Sequence, residues 1–190
     1  MKEFQEEVKK SAAVMKNKGI ILYPTDTIWG IGCDATCGET VKKIFKIKKR
    51  NAEKNFILLL DHESRLSTYV KEVPEQAWAL IEYAERPLTI IYNGAKNLPP
   101  ELIAEDGSIA IRITRDDFCK NLIGTLRKPI VSTSANISGE QTPSSFHEIH
   151  EQIISSMDYV VNWRQDEIIL ARPSTIVSLG TDGQIKFIRR

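Results

Sequence analysis

The chain has 190 residues, a formal net charge of +1, and hydrophobic and charged fractions of 42% and 27%. These values are ordinary for a globular domain and give no overall nucleic-acid signature, and no apolar run approaches the roughly 20 residues of a membrane helix. The charged N-terminal stretch lacks the apolar core of a signal peptide, so we expect a cytoplasmic protein that does not bind membranes. Three cysteines cannot all pair, so no disulfide framework is expected, and the length fits one domain over residues 1–190.

Hydrophobic spacing alternates along the chain between the periods of helices and strands. Phe4, Val8, Ala12 and Met15 recur at helical spacing, and Gly19 is well placed to end that helix. Further helices are expected over residues 39–49, from Pro74 to about Glu85, after a cap at Asp116, and through Phe146, Ile149 and Ile153. Short apolar runs predict strands at residues 20–23, 56–60, 88–92, 108–113, 129–133, 158–161, 175–179 and 185–188. This order predicts an α/β protein with a large twisted sheet, and Asp182-Gly183 suits a turn before the last strand.

Small polar residues interrupt this pattern in four segments next to strand ends: residues 23–30 (YPTDTIWG), Lys48-Lys49-Arg50, residues 132–139 (STSANISG) and Pro173-Ser174-Thr175. Arginine and lysine converging at a strand mouth can hold a phosphate, and a loop rich in Ser and Asn can offer N–H and hydroxyl groups to an anion. Lys48 and Arg50 would share a face only in an extended chain. Each segment taken singly also suits an ordinary turn.

Two placements of charge leave alternatives open. Arg112 lies in the apolar strand SIAIRI, where it either points outward or points inward with a carboxylate or ligand as its partner. A basic run forms either a solvated helix face or a binding surface; it consists of Lys42, Lys43, Lys46, Lys48, Lys49 and Arg50.

Other catalytic sets find little support. His147, His150, Cys33 and Cys37 do not have the spacing of a recognised zinc site, so no metal bound by the protein is expected. The sequence also contains no G-x-x-x-x-G-K-[ST] phosphate loop and no G-x-S-x-G nucleophile turn.

Taken together and in order, the motifs YPTDTIWGIG, KKR before FILLL, SIAIR, STSANISG, PSTIV and the terminal KFIRR resemble those of the YrdC-like family. The matches run from about Tyr23 to Arg189. This family includes threonylcarbamoyl-AMP synthases, and longer relatives carry a further C-terminal domain. The resemblance implies an open α/β fold whose twisted, curved mixed sheet is flanked by helices and surrounds a deep, positively charged cleft.

The resemblance also implies residue roles. The residues expected to hold the nucleotide phosphates in catalysis are Lys48, Arg50, Ser134 and Asn136. The residues expected around ATP are Arg50, Lys54, Ser108, Ser134, Thr142 and Arg189. The residues expected around L-threonine are Thr27, Arg112, Ser132 and Ser174.

The implied reaction joins ATP, L-threonine and bicarbonate into L-threonylcarbamoyladenylate and releases pyrophosphate, for threonylcarbamoyladenosine modification of tRNA. Mg²⁺ is expected to bind with ATP, since few acids are available to cage it. Weak binding of tRNA or double-stranded RNA and transient contact with the tRNA threonylcarbamoyl-transferase machinery are further expectations.

The sequence departs from the usual family pattern at three places. Asn51 and Thr114 stand where relatives usually have loop prolines, and the stretch from Ala84 to Pro87 stands where they usually have Trp-Pro-Gly-Pro. These departures leave open a paralogue that adenylates a different carbamate. A second alternative is an RNA-binding module whose basic cleft follows a nucleic-acid backbone.

Overall fold

The computed structural model describes residues 2–49, 56–167 and 173–189. Its helices are α1 (Lys2–Lys16), α2 (Gly38–Ile47), α3 (Leu66–Tyr69), α4 (Gln76–Glu82), α5 (Asp117–Leu126) and α6 (Glu151–Ser155). Its strands are β1 (Ile21–Tyr23), β2 (Gly30–Gly32), β3 (Ile57–Leu60), β4 (Leu88–Tyr92), β5 (Ile109–Ile113), β6 (Ile130–Ser134), β7 (Tyr159–Val160), β8 (Thr175–Leu179) and β9 (Ile185–Arg189). Within these ranges, no helix combines the length and apolar character that crossing a membrane requires.

All of these strands join one sheet in the order β7-β1-β2-β6-β3-β5-β4-β8-β9. Three pairs are parallel, namely β1 with β7, β3 with β5 and β4 with β8. The remaining neighbours run antiparallel, including the terminal β8–β9 hairpin, whose turn contains Gly183 at φ 82°. The predicted α/β class with a mixed open sheet is therefore confirmed.

Alternate side chains of the strands enter two hydrophobic cores, one on each face of the sheet. Tyr23 and Leu59 point to the face covered by α1 and α5, where they join Val8 and Phe118. Along each strand, the residues that alternate with these point to the opposite face of the sheet. Leu58 is one example, and these residues pack with α2 and α4 in the larger core. Helices α1 and α5 cover only part of their face, and the rest of that face forms the floor of an open cleft.

Helix ends mostly follow their sequence signals. Asp116 caps α5 as predicted, because its carboxylate accepts the main-chain N–H of Cys119 at 2.9 Å. The first helix ends at Lys16, and the left-handed residue is Lys18, at φ 61°, rather than Gly19. Gly19 is needed for a different reason: a Cβ there would collide with the side chain and carbonyl of Val14.

Two predicted helices differ from the structure. The helix expected from Pro74 to about Glu85 is shorter, since α4 ends at Glu82. The single helix expected through Phe146, Ile149 and Ile153 is wrong. A 3-10 turn (Phe146–Glu148) ends at Ile149, which is extended at φ −71° and ψ 126°, and α6 begins afresh. The spacing of three residues that suggested a helix is also the period of a 3-10 turn.

Candidate active site

A cleft of about 700 Å³ opens on the uncovered part of the α1 and α5 face. Strands β2, β6, β3, β5, β4, β8 and β9 each contribute residues to its walls. Most of the described site residues predicted from sequence line this cleft: Thr27, Ser108, Arg112, Ser132, Ser134, Thr142, Ser174 and Arg189. Of the others, Lys48 and Asn136 contact the Ser134 segment, whereas Arg50 and Lys54 lie outside the described residues.

The connection between β1 and β2 turns tightly against the cleft. The hydroxyl of Thr25 donates to the main-chain oxygen of Ile28 at 2.8 Å and accepts the main-chain N–H of Thr27 at 3.0 Å. The hydroxyls of Thr25 and Thr27 are also 2.9 Å apart. Trp29 anchors the end of the connection in the core and packs against Phe146 in a tilted arrangement, with ring centroids 4.9 Å apart. This network holds the Thr27 hydroxyl at the cleft wall.

Arg112 points inward from β5, which resolves the alternative that the sequence left open. Its side chain is 3% exposed, and its Nη1 donates to the hydroxyl of Thr27 at 3.3 Å. The carboxylate of Asp26 lies 3.2 Å from its Nη2. A buried cation needs such a partner, because the cost of removing it from water is otherwise uncompensated.

The opposite wall is built from Ser174 and the last strand. The hydroxyls of Ser174 and Thr89 are 2.8 Å apart in the buried interior. Arg189 crosses from β9 and donates through Nε and Nη2 to the main-chain oxygen of Ser174, at 3.1 and 2.9 Å. Sequence reasoning missed Thr89 as the partner of Ser174, because nothing in the strand LTIIY distinguishes it from an ordinary strand threonine.

Lys48 lies beneath the segment that contains Ser134 and Asn136. The Lys48 side chain is fully buried, and its ammonium donates to the main-chain oxygens of Ser134 and of Asn136, the latter at 2.6 Å. It also lies 3.3 Å from the amide oxygen of Asn136, to which the Ser134 hydroxyl donates. The amide nitrogen of Asn136 donates to the main-chain oxygen of Glu140 at 2.7 Å. These bonds fix the shape of the loop at the cleft edge.

The condition for Lys48 and Arg50 to share a face, an extended chain, is not met at Lys48 and Lys49. Lys48 is helical at φ −77° and ψ −6°, and Lys49 is left-handed at φ 48°. Lys48 directly follows the last residue of α2, and its side chain reaches the loop that contains Ser134 and Asn136.

The cleft is electropositive. The described residues that line it include Arg112 and Arg189 and contain no aspartate or glutamate. Both arginines line this cleft, and burial together with the nearby charge of Arg112 lowers the pKa of Arg189. Two cations with hydroxyl groups between them are suited to an anionic ligand.

Comparisons with known proteins agree with this geometry. The model of the family described as "Sua5_yciO_yrdC: Telomere recombination" matches residues 13–190. A protein of Pseudoalteromonas translucida named threonylcarbamoyl-AMP synthase is 33% identical over 162 residues, which cover 83% of this chain and 86% of the relative. A protein of Klebsiella pneumoniae with the same name is 30% identical over 158 residues, which cover 82% of this chain and 83% of the relative.

Solved structures show the same fold. The crystal structure of P. abyssi Sua5 complexed with L-threonine superposes with a TM-score of 0.87 at 26% identity, covering 96% of this chain. This chain spans only 53% of that longer protein. The crystal structure of E. coli YciO superposes with a TM-score of 0.85 at 25% identity, covering 98% of this chain and 89% of the other. By its sequence match over residues 13–190 and by its fold, the chain belongs to the YrdC/Sua5/YciO family.

Proposed function

We propose that this chain is a threonylcarbamoyl-AMP synthase that makes L-threonylcarbamoyladenylate from ATP, L-threonine and bicarbonate. The observation that carries the proposal is the cleft itself, where Arg112 and Arg189 face a space lined by hydroxyls and, among the described residues, by no carboxylate. Two of the three substrates are anions, and threonine carries a carboxylate. Relatives at 30 to 33% identity bear the name of this enzyme, and one related structure is a complex with L-threonine.

The threonine would lie at the Arg112 end of the cleft. Residues proposed to contact it are Thr27, Arg112, Ser132 and Ser174. A guanidinium binds a carboxylate through paired N–H groups, and hydroxyls can bind the amine and side-chain hydroxyl of the amino acid. Arg112 is therefore proposed to orient the carboxylate and so aim the threonine amine into the open cleft.

The nucleotide would lie along the wall formed by the Ser134–Asn136 loop and β9. Residues proposed to hold ATP, directly or through the loop, are Lys48, Arg50, Lys54, Ser108, Ser134, Asn136, Thr142 and Arg189. Of these, Ser108, Ser134, Thr142 and Arg189 line the cleft, and Arg50 and Lys54 lie outside the described residues. Lys48 would act from beneath the loop, since its ammonium already bonds to main-chain oxygens there. Its positive charge and the loop's fixed shape would both favour a bound phosphate.

Chemistry at this site requires positioning rather than a protein nucleophile. The threonine amine attacks the bicarbonate carbon and water leaves, which gives a carbamate. A carbamate oxygen then attacks the α-phosphorus of ATP, and the bond to pyrophosphate breaks. Holding both reactants in one cleft and stabilising the charge on the phosphate would supply most of the acceleration.

Mg²⁺ would enter with ATP. Because the described lining residues offer hydroxyls and no carboxylates, they fit an ion that is held chiefly by phosphate oxygens and water. When bound, such an ion neutralises phosphate charge. Arg189 would balance the remaining charge from the protein side.

Pyrophosphate release tests the proposal directly. Release should require ATP, threonine and bicarbonate together, and mass spectrometry should identify threonylcarbamoyladenylate. Ser132→Ala, which removes a cleft hydroxyl, should lower the rate by about 10-fold, the effect of about 1.4 kcal/mol. The matched control Ser155→Ala lies on the exposed side of α6 and should leave the rate unchanged. Pyrophosphate release that is independent of threonine would contradict the proposal.

Two other functions give different outcomes in the same assay. A paralogue adenylating a different carbamate has support from the likeness to YciO, and it would release pyrophosphate with another amine in place of threonine. An RNA-binding module would release none. The basic run gives the RNA module limited support, because Lys42 pairs with Glu101 at 2.9 Å and Lys43 pairs with Glu39 at 3.4 Å. These pairs leave less positive charge for phosphate contacts.

A further inference from the structure

Asp26 lies in the connection between β1 and β2 and faces the guanidinium of Arg112. Its Oδ1 is 3.2 Å from Nη2 of Arg112, and the two side chains are 14% and 3% exposed. Asp26 is not among the residues that the sequence motifs assign to a ligand. Among the described residues, it is the acid that forms an ion pair with Arg112.

The guanidinium is hydrogen-bonded at one edge, and its other edge is buried without a hydrogen bond. Nη1 donates to the hydroxyl of Thr27 at 3.3 Å, whereas Nε and Nη2 form no hydrogen bond to any described residue. Nε and Nη2 are adjacent nitrogens whose N–H groups can bind the two oxygens of a carboxylate together. Asp26 Oδ1, 3.2 Å from Nη2, also forms no hydrogen bond there, so it attracts the guanidinium by charge and leaves the N–H groups of Nε and Nη2 unbonded.

Asp26 is itself held from the other side. Its Oδ2 accepts the main-chain N–H of Arg115 at 3.4 Å, just beyond the end of β5. It also borders a second cavity of about 560 Å³, whose lining does not include Arg112. The carboxylate therefore contacts both Arg112, which lines the cleft, and the Arg115 main chain next to the second cavity.

We propose that Asp26 is a positioning residue that holds the unbonded Nε–Nη2 edge of Arg112, which lines the cleft, in the orientation that binds the substrate carboxylate. This inference rests on the proposed function. A long arginine side chain held only at Nη1 can rotate about its terminal bonds, and each rotation turns the Nε–Nη2 edge away from the ligand. Thr27 at Nη1 and Asp26 at Nη2 together restrict that rotation, so less freedom is lost when the substrate binds.

Threonine and ATP binding in Asp26 variants test the inference. Asp26→Asn keeps the shape and removes the charge, and it should weaken threonine binding by about 10-fold in calorimetry. The KM for ATP should stay within about twofold, because the nucleotide lies elsewhere in the cleft. Asp26→Glu keeps the charge and should recover part of the threonine affinity. The control Asp61→Asn alters an acid that borders the second cavity but pairs with Arg65 rather than Arg112.

Three outcomes would overturn the inference: unchanged threonine affinity in Asp26→Asn, tighter threonine binding, or an equal loss of threonine and ATP affinity. Tighter binding would mean that Asp26 competes with the substrate for Arg112. An equal loss would mean that the variant simply disorders the site.

A double-variant cycle separates this inference from the proposed function. Asp26→Asn and Arg112→Gln should be non-additive in urea unfolding, because each removes the same ion pair. That coupling needs no substrate. A wild-type protein that makes no product would refute the proposed function, whereas additive effects on the free energy of unfolding would refute the Asp26–Arg112 pairing.

Discussion

The ammonium of Lys48 donates to the main-chain oxygen of Asn136 at 2.6 Å, across 88 residues of sequence. The return contact comes from the same loop, since the main-chain N–H of Ser138 donates to the carbonyl of Lys48 at 3.0 Å. A charged side chain that is fully buried at a helix end thus joins α2 to the segment after β6. The shape of that segment depends on a residue far away in the chain.

Lys48→Met should therefore damage the loop as well as any ligand contact. Methionine keeps much of the side-chain length, but it leaves the oxygens of Ser134 and Asn136 without their charged donor. Hydrogen bonds to charged groups contribute about 1.5–3 kcal/mol each, so the free energy of unfolding in urea should fall by at least about that amount. ATP affinity measured by calorimetry should fall in parallel. Lys46→Met, on the exposed side of α2, is the control and should change neither quantity.

Substitution by alanine should change the stability of the protein in opposite directions at two glycines. Gly32 in β2 is buried, and a Cβ there would collide with the carbonyl of Val131 and lie 2.7 Å from the ring of Tyr23. Gly32→Ala should destabilise the protein by about 1–3 kcal/mol, because the Val131 carbonyl and the Tyr23 ring would both have to move away from the added methyl group. Gly124 lies in α5 with open space around it, so Gly124→Ala should stabilise by about 0.5–1 kcal/mol. Thermal unfolding distinguishes the pair, and equal shifts would refute the packing at Gly32.

Much of the fold follows from local signals. Strands such as β4, β5 and β8 appear in the sequence as short apolar runs, and the Asp116 cap marks the start of α5. Local periodicity fails around Phe146 to Ile153 because only a few residues carry the pattern. His150 then caps α6 by accepting the main-chain N–H of Gln152 at 3.1 Å, a role that hydrophobic spacing does not reveal.

The candidate site is harder to predict from sequence, because its geometry depends on the pairing of strands that are far apart in the chain. The motif positions Thr27, Ser132 and Ser174 do meet in one cleft. The direction of Arg112 could not be inferred, since period-2 alternation defines two faces but does not say which one faces the cleft. Strands β2, β3 and β4 lie between Asp26 and Arg112 in sequence, so only the pairing of strands in the sheet brings the two residues together.

Glu7 should make stability depend on pH. Burial raises the pKa of this carboxyl, but hydrogen bonds from the Tyr159 hydroxyl at 2.6 Å, the Asn162 N–H at 2.8 Å and Lys10 outweigh burial, and the net pKa is lowered. A carboxyl with a lowered folded-state pKa stabilises the fold above its unfolded pKa, and this contribution is lost as the pH falls through the folded value.

Glu7→Gln should therefore lower the free energy of unfolding at pH 7, by about 1.5–3 kcal/mol for a charged hydrogen-bonded group, and by less near pH 3. Urea unfolding at the two pH values measures the difference. Glu6→Gln, which is exposed on the same helix, is the control. A loss of equal size at both pH values would show that the carboxylate charge plays no part.

Asn136→Ala separates the proposed synthase from an RNA-binding module. Asn136 is uncharged, so it contributes little to counterion release, and the salt dependence of any RNA binding should keep its slope. In the synthase, the amide links the Ser134 hydroxyl, the Lys48 ammonium and the Glu140 carbonyl at the edge of the cleft. Removing it should lower the rate of adenylate formation by about 10-fold or more, the effect of about 1.4 kcal/mol.

Lys49→Ala is the matched change for RNA binding, because Lys49 is an exposed member of the basic run. Losing one phosphate contact should reduce the log–log salt slope by about 0.7–0.9, while adenylate formation should be unchanged. Rates of adenylate formation and RNA affinities, measured over a range of salt concentrations, should therefore distinguish the two variants. Asn136→Ala should lower the rate, and Lys49→Ala should lower the salt slope. Full synthase activity in Asn136→Ala would refute the placement of this loop at the nucleotide, since the bonds that the amide makes there would then have no catalytic consequence.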